Sequence, residues 1–464
     1  MRFQALGRAC AAADIDTLLL AHHADDQAET VLSRIHAGYL GTGLTGIQPK
    51  MPIAECHGIY KVSRSGTLRY LDGTRTLTSI FVESGGVVLH RPLLGFTKSE
   101  LVDTCKINFV KWHEDATNAD RTLTPRNAIR QMLQAKVMPA ALTPDRLRQL
   151  AVDKWNNYAS CETKAAAYFD NCRIELDLNH SSVSFHIHPD IEMQLSHEKD
   201  HQLIAAILMR KFFSLVEDRS KLALKDLSRA VGFVFPSTFG NWQPVSNTVH
   251  IGNVTLVKDP SSHENGVEKQ KKYLIFPRPT RAPEFLTQTL LNVTEDNHST
   301  SEEPVWTETK LFYDRWWIKL RYIPANVPVG TSVVVRFLRR GESARKGGWH
   351  EEHRFALIPS GQTRHTIPVI VKISDVRDQN GVVSKEEKIL AFPSIGLARI
   401  GCSPFKAKWN RTSDPKMPDD SLWQYSCVYK DIEFNASEKH TINLVKPPTP
   451  TKKASECSSD SSMP

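Results

Sequence analysis

Paired cysteines, long apolar runs and internal repeats are all missing from this 464-residue sequence. Its eight cysteines (Cys10, Cys56, Cys105, Cys161, Cys172, Cys402, Cys427 and Cys457) are scattered, and no Cys-x-x-Cys occurs among them. That spacing supports neither a zinc ribbon nor a dithiol redox motif. Unpaired thiols fit a reducing compartment inside the cell, with cytoplasm and mitochondrion both open. No apolar stretch approaches the ~20 residues of a membrane helix, and no secretory signal opens the chain, so no membrane partner is expected. Charge of one sign is only slightly in excess: 59 Lys plus Arg against 51 Asp plus Glu give +8. A polyanionic partner is compatible with that balance, as are many other partners. Charged residues at 24% and apolar residues at 40% are ordinary for a globular chain. The length suits two or three domains.

What is present concentrates near the start. The chain reads Thr17-Leu18-Leu19-Leu20-Ala21-His22-His23-Ala24-Asp25-Asp26-Gln27-Ala28-Glu29-Thr30. Leu18 to Ala21 have the character of a buried parallel strand. The next residues open a helix, with Glu29 one turn beyond Asp26 and with Val31, Leu32 and Ile35 on one apolar face. Open α/β sheets bind ligands at the carboxyl ends of their strands. Two histidines and three carboxylates crowded there indicate a site. For a single Asp, the helix macrodipole would be sufficient reason. His22, His23 and Asp25 together also admit a transition-metal alternative.

Further blocks follow: Arg34, then Gly41-Thr42-Gly43-Leu44-Thr45-Gly46, Arg91-Pro92-Leu93-Leu94, Trp112-His113-Glu114-Asp115-Ala116-Thr117-Asn118 and Arg126-Asn127-Ala128-Ile129-Arg130. In this order the blocks resemble those of the tRNA(Ile)-lysidine synthetases of the PP-loop ATPase superfamily. The close resemblance covers roughly residues 1 to 140. It implies an α/β fold: an N-terminally incomplete PP-loop (adenine nucleotide alpha hydrolase-like) parallel-sheet domain, then a helical and mixed domain, then a β-rich C-terminal domain. It also implies ATP and Mg2+ as cofactors, and tRNA(Ile) and lysine as partners; a homodimer stays open. In that family the wobble cytidine is adenylated at its C2 oxygen, and the lysine ε-amine then displaces AMP.

The resemblance assigns roles residue by residue. Asp25, Asp26, Glu29, Arg126 and Arg130 are the catalytic candidates, His22 and His23 the cofactor-binding ones. Asn127, Asp115 and Asn118 are secondary candidates, and Asp25 and Asp26 are Mg2+ ligands. Carboxylates can hold an ammonium by charge-assisted hydrogen bonds and help bind magnesium through oxygen. Arg126 and Arg130, four residues apart, share a helix face suited to phosphate oxygens.

One family block is missing. The loop Ser-Gly-Gly-x-Asp-Ser, which grips ATP ahead of the histidines, has no counterpart before residue 22. The one Ser-Gly-Gly, Ser84 to Gly86, continues Val87-Val88-Leu89 and reads as a turn between β segments. The expectation is a truncated or mis-started chain, with a non-catalytic tRNA-binding remnant or another PP-loop tRNA modifier as rivals. The absence of Cys-x-x-Cys counts against a thiolase.

Along the rest of the chain, the expected division is 1–140 partial PP-loop domain, 141–290 helical and mixed region, 291–445 β-rich region with a tRNA contact, and 446–464 disordered tail. Helices are expected at 3–13, 25–36, after Thr97 (N-cap, with Glu100 closing the box), from Pro125, at 144–170 and at 201–216. Residues 50–90 read as an insertion without chemistry. A polar break at 294–303 precedes the last region. Trp112 reads as core. Trp316 and Trp317 fall on opposite faces of a strand, one toward the core. The basic loop at Arg339, Arg340, Arg345 and Lys346 is a candidate phosphate contact.

Overall fold

The computed structural model describes residues 1–71, 80–113, 125–135, 138–218, 221–239, 247–259, 271–278, 287–342, 348–349, 355, 358, 361–377, 383–405, 422–434, 437 and 439–443. Asp115, Asn118, Arg345, Lys346 and the 446–464 tail lie outside the described residues.

Helix α1 (Arg2–Ala12), strand β1 (Thr17–Leu19) and helix α2 (Ala24–His36) open the chain. Helix α2 forms because its apolar residues recur one turn apart: Ala28, Val31 and Leu32 are buried. Its charges follow the dipole, with Asp25 and Asp26 in the first turn and Arg34 and His36 in the last. Strands β2 (Lys50–Pro52), β3 (Thr67–Leu71), β4 (Ile80–Ser84) and β5 (Val88–His90) follow. Strands β1 and β5 pair in parallel, Leu18 opposite Leu89, and β2 lies antiparallel on the other edge of β5. This small mixed sheet and its helices are the expected α/β body, but β1 ends at Leu19, which is 66% exposed, where Leu18 to Ala21 read as a buried parallel strand. Between β4 and β5, Gly85 and Gly86 hold φ of +85° and +84°. A Cβ on Gly86 would stand 2.6 Å from the Val62 carbonyl oxygen. The Ser-Gly-Gly is therefore a packed turn, as its sequence indicates.

Helix α3 (Lys98–Ile107) starts at the Thr97 cap, whose amide donates to Glu100 Oε2 at 2.7 Å. Helix α4 (Pro125–Gln134) and the 28-residue α5 (Pro144–Asn171) then pack on α2. Ala28, Val31, Leu32, Ile129, Leu133, Leu147 and Ala151 share one apolar cluster.

A hairpin of β6 (Arg173–Asp177) and β7 (Ser182–Ile187) follows, then α6 (Pro189–Ser196), α7 (His201–Ser214), α8 (Ser228–Val234), β8 (Thr248–Ile251), β9 (Val254–Lys258) and β10 (Lys271–Pro277). Helix α7 is apolar nearly all round, and Phe212 stacks on Phe185 of β7 at 4.1 Å. A helix of that kind is buried.

The remaining strands are β11 (Gln288–Asn292), β12 (Val305–Trp306), β13 (Lys310–Phe312), β14 (Trp316–Tyr322), β15 (Ser332–Phe337), β16 (Pro368–Arg377), β17 (Val383–Phe392), β18 (Leu397–Ala398), β19 (Cys402–Pro404), β20 (Trp423–Tyr429) and β21 (His440–Asn443). Their pairing runs across the stretches expected from sequence. Strands β3 and β4 join β14 and β20 in a seven-stranded sheet, and β21 runs parallel to β6 in the middle sheet. Strand β11, ahead of the polar break, pairs with β15 beyond it. The sequence could not show this, because each strand reads only its own alternation. Both tryptophans of β14 are buried, where the alternation indicated one toward the core. Trp316 donates to the Leu178 carbonyl at 3.4 Å, and Trp317 packs edge-on against Tyr60 at 5.2 Å. The partner of the outward face is the 50–90 stretch itself. Trp112 corrects in the other direction: it is 43% exposed.

A polar latch ties these parts together. His57 Nε2 meets Asp314 Oδ1 at 2.5 Å, and its Nδ1 lies 3.4 Å from Asp218 Oδ2. Lys221 also pairs with Asp314. The Asp314 bond raises the His57 pKa against the opposing effect of burial. Burial would push Asp314 up, but the bonds from His57 and Lys221 hold it well below the usual carboxylate range. Beside it, Lys430 is buried among the carbonyls of Ser214 and Glu217, and burial lowers it to about 7. A raised histidine pKa stabilises below its unfolded value of about 6.5 and ceases to do so as pH climbs through the folded value. Lys430 has the opposite slope, so a difference against a variant isolates His57. His57→Gln is expected to cost about 1 kcal/mol at pH 6, after solvent screening, and much less at pH 9. Thermal melts of both proteins at the two pH values check this; an equal cost at both would remove the charged latch.

Candidate functional site

Strand β1 ends at Leu19, and the chain turns through His22 and His23 into α2. The turn is held from two sides: Ala24 N–H donates to the Phe96 carbonyl at 2.8 Å, and Leu20 N–H to that of His90 at 2.9 Å. His23 is the N-cap, and its amide donates to Asp26 Oδ2 at 3.0 Å. Helix geometry then sets Asp26 and Glu29 on one face, one turn apart. They are 8% and 2% exposed. Carboxylates so buried require partners, and α4 supplies them. Arg126 pairs with Asp26 and donates from Nε to Glu29 Oε2 at 2.8 Å. Arg130 donates from Nε to Glu29 Oε1 at 2.6 Å and from Nη2 to Oε2 at 3.1 Å. Hydrogen bonding to Glu29 raises the Arg130 pKa further. The Arg126 side chain is still 47% exposed, so the cluster opens to solvent on the arginine side.

Asp25 points elsewhere. Its Oδ2 accepts the Lys98 amide at 3.0 Å at the start of α3, and its Oδ1 lies 3.5 Å from Arg148 on α5. His22 Nδ1 accepts from Arg91 Nε at 3.3 Å. Burial lowers the His22 pKa; Asp26 opposes this, while Arg91 and Arg126 reinforce it. The neutral ring then carries its proton on Nε2 and offers a donor. His23 Nδ1 is buried without a hydrogen-bond partner. Such an orphan in a polar site is what a ligand's polar atom would satisfy.

The structure thus gathers Asp25, Asp26, Glu29, Arg126, Arg130, His22 and His23 around the end of β1. Asn127 is buried on α4. Among the described residues no group of three His, Cys, Asp or Glu side chains could hold a metal ion, which leaves the His22, His23, Asp25 metal alternative without a cage. Asp25 and Asp26 each already engage both oxygens. Sequence reading missed Arg148, which carries no signal beyond an i,i+3 Asp145. It also missed what Gln27 and Arg34 do.

Those two residues tie the glycine-rich stretch onto α2. Arg34 Nη1 donates to the carbonyls of Gly43 at 2.8 Å and Gly46 at 3.0 Å. Gln27 exchanges two bonds with the backbone of Ile47, at 2.6 and 3.3 Å. Gly46 holds φ +69°, and a Cβ there would stand 2.5 Å from the Gln27 amide nitrogen. Gly46→Ala is expected to cost about 2 kcal/mol from backbone strain and the lost tether. A lower melting temperature, with faster hydrogen exchange confined to residues 39–48, is the expected reading; unchanged exchange there would mean the tether is dispensable.

Comparison with known proteins bears on this site. The PP-loop domain family matches residues 1–137. A protein of Schizosaccharomyces pombe named "Probable tRNA(Ile)-lysidine synthase" is 26% identical over 408 residues, 85% of this chain and 72% of that protein. The tRNA(Ile)-lysidine synthase of Bacillus subtilis is 35% identical over 116 residues, 25% of this chain and 18% of its own length. That of Legionella pneumophila (strain Paris) is 29% identical over 165 residues, 36% and 28% of the two lengths. The chain therefore spans less than a third of these two bacterial relatives. The matched segment contains every residue gathered at the end of β1: this chain carries a PP-loop domain and is a homologue of the tRNA(Ile)-lysidine synthases.

Proposed function

We propose that this protein modifies tRNA as a lysidine synthetase-type ligase, joining lysine to C2 of the wobble cytidine of tRNA(Ile). The observation that carries the reading is the Asp26–Glu29–Arg126–Arg130 cluster at the end of β1, within a matched PP-loop domain. ATP supplies the adenylyl group that turns the C2 oxygen into a leaving group. In this reading Asp26 and Glu29 hold the amine of lysine by charge-assisted hydrogen bonds. With the half-exposed Arg126 turned outward, its guanidinium reaches phosphate oxygens, and one carboxylate edge becomes free for the ammonium. His22 donates from Nε2 and His23 contributes its orphan Nδ1 toward the nucleotide. Magnesium would arrive with the phosphates, which, with water, provide most of its shell; Asp25, its side chain 39% exposed, is the more accessible carboxylate. Catalysis rests on positioning and electrostatics.

A second reading, a tRNA-binding protein without catalysis, draws on the same cluster: every oxygen of Asp26 and Glu29 already has a protein donor. One assay separates the two. The full chain is incubated with ATP, radiolabelled lysine and tRNA(Ile), and both AMP release and incorporation are followed. The ligase reading expects both, and expects Asp26→Asn to lower incorporation about 100-fold while tRNA affinity changes less than about threefold. Binding without either product would favour the second reading. Retained incorporation in the variant would remove Asp26 from the reaction.

A further inference from the structure

Of the basic loop singled out in the β-rich region, Arg339 is engaged by a carboxylate, as is Arg336 on the strand before it. Arg339 pairs with Glu387 at 2.9 Å, and Arg336 with Glu342 and Glu387. Cations committed to carboxylates offer little to a phosphate backbone. A different surface keeps its cations free. A cleft of about 1000 Å³ runs between the Leu40–Thr42 turn and the ends of α7 and α8. Lys199, Lys225 and Arg229 line it, all three exposed and without an ion pair among the described residues. Asp200 is the one carboxylate among its described lining residues. His201 and Phe239 form an aromatic wall, ring centroids 5.5 Å apart.

The position of the cleft matters as much as its charge. Its near wall, Gly41 and Thr42, belongs to the stretch that Arg34 binds to α2 through the Gly43 carbonyl. Arg34 stands five residues from Glu29 on the same helix, roughly 8 Å along its axis. Helix α2 thus supports both the near wall of the cleft and the carboxylate cluster. The glycines matter here as well: without side chains, the wall lets a backbone approach closely. Three free cations, an aromatic wall and a glycine lip are the parts of a surface that tracks nucleic-acid backbone and stacks a base.

We propose that this cleft binds the phosphate backbone of the RNA substrate through Lys199, Lys225 and Arg229, with Phe239 and His201 as a stacking surface. The proposal rests on the tRNA reading above and adds to it where the tRNA lies. Binding of an in vitro-transcribed tRNA(Ile) to the full chain is measured between 50 and 200 mM salt. The triple variant Lys199→Ala, Lys225→Ala, Arg229→Ala is expected to flatten the slope of log K against log salt by about 2 to 3, since each phosphate contact contributes about 0.7 to 0.9. The affinity loss at 100 mM salt is expected to exceed about tenfold. A charge-keeping triple, Lys199→Arg, Lys225→Arg, Arg229→Lys, is expected to bind with the original slope. A control triple on the exposed Lys385, Lys388 and Lys439, each changed to Ala, is expected to leave the slope within about one unit. A wild-type slope in the cleft triple would overturn the proposal and leave the tRNA reading standing. So would an equal loss in the control, or failure of the charge-keeping triple to bind. No tRNA binding by the unmodified chain would instead bring down the tRNA reading, and this proposal with it.

Discussion

Two carboxylates on one turn of α2 lie almost out of water, and that constraint organises the whole front of the molecule. Asp26 and Glu29 cannot be buried as charges unless they are paired and hydrogen-bonded. Arg126 and Arg130 meet that requirement only if α4 lies across α2 with both arginines inward. That placement seats Ile129 and Leu133 on Ala28, Val31 and Leu32. Packing and charge pairing thus demand the same helix orientation, and agreement between levels gives a unique arrangement. The pairing also leaves a site whose charges are balanced yet exchangeable, because one arginine remains half in solvent.

The site does not stand on its own sheet alone. Strands β3 and β4, which lie between β2 and β5 in the chain, pair into the sheet built by β14 and β20. Tyr60 and His57 reach the same region, against Trp317 and Asp314. The 50–90 stretch is therefore a strap from the PP-loop body to the β-rich part. It accounts for the burial of Trp317 and for a polar latch of His57, Asp218, Lys221 and Asp314. Rigid support from distant chain segments keeps site side chains in place. Here β20 and β21 come from the far end of the described chain.

Local signals carried much of this. The helix of Asp25 to His36, the Thr97–Glu100 capping box, the α4 start at Pro125 and the β6–β7 alternation were all legible, because each depends on residues within one or two turns. The Ser84–Gly86 turn was legible for the same reason. Tryptophan exposure was not. A strand pattern shows which residues share a face, whereas what covers that face comes from elsewhere in the chain. Trp317 is covered by Tyr60, 257 positions away, and Trp112 is left open.

The sequence by itself determined which side chains could form the site: the order of histidines, carboxylates and arginines, and their helical spacing, follow from covalent geometry. Only the tertiary structure decided how they meet. It set Arg126 and Arg130 against Glu29 across about a hundred residues, turned Asp25 toward Lys98 and Arg148, and made Gln27 and Arg34 the anchors of a glycine stretch. It also paired Arg339 with Glu387 and, among the described residues, left Lys199, Lys225 and Arg229 of the α7–α8 cleft without an ion pair. The physical reason is that charge pairing acts through space. Spacing along a helix tells which groups share a face, but the partner across the gap is chosen by the fold.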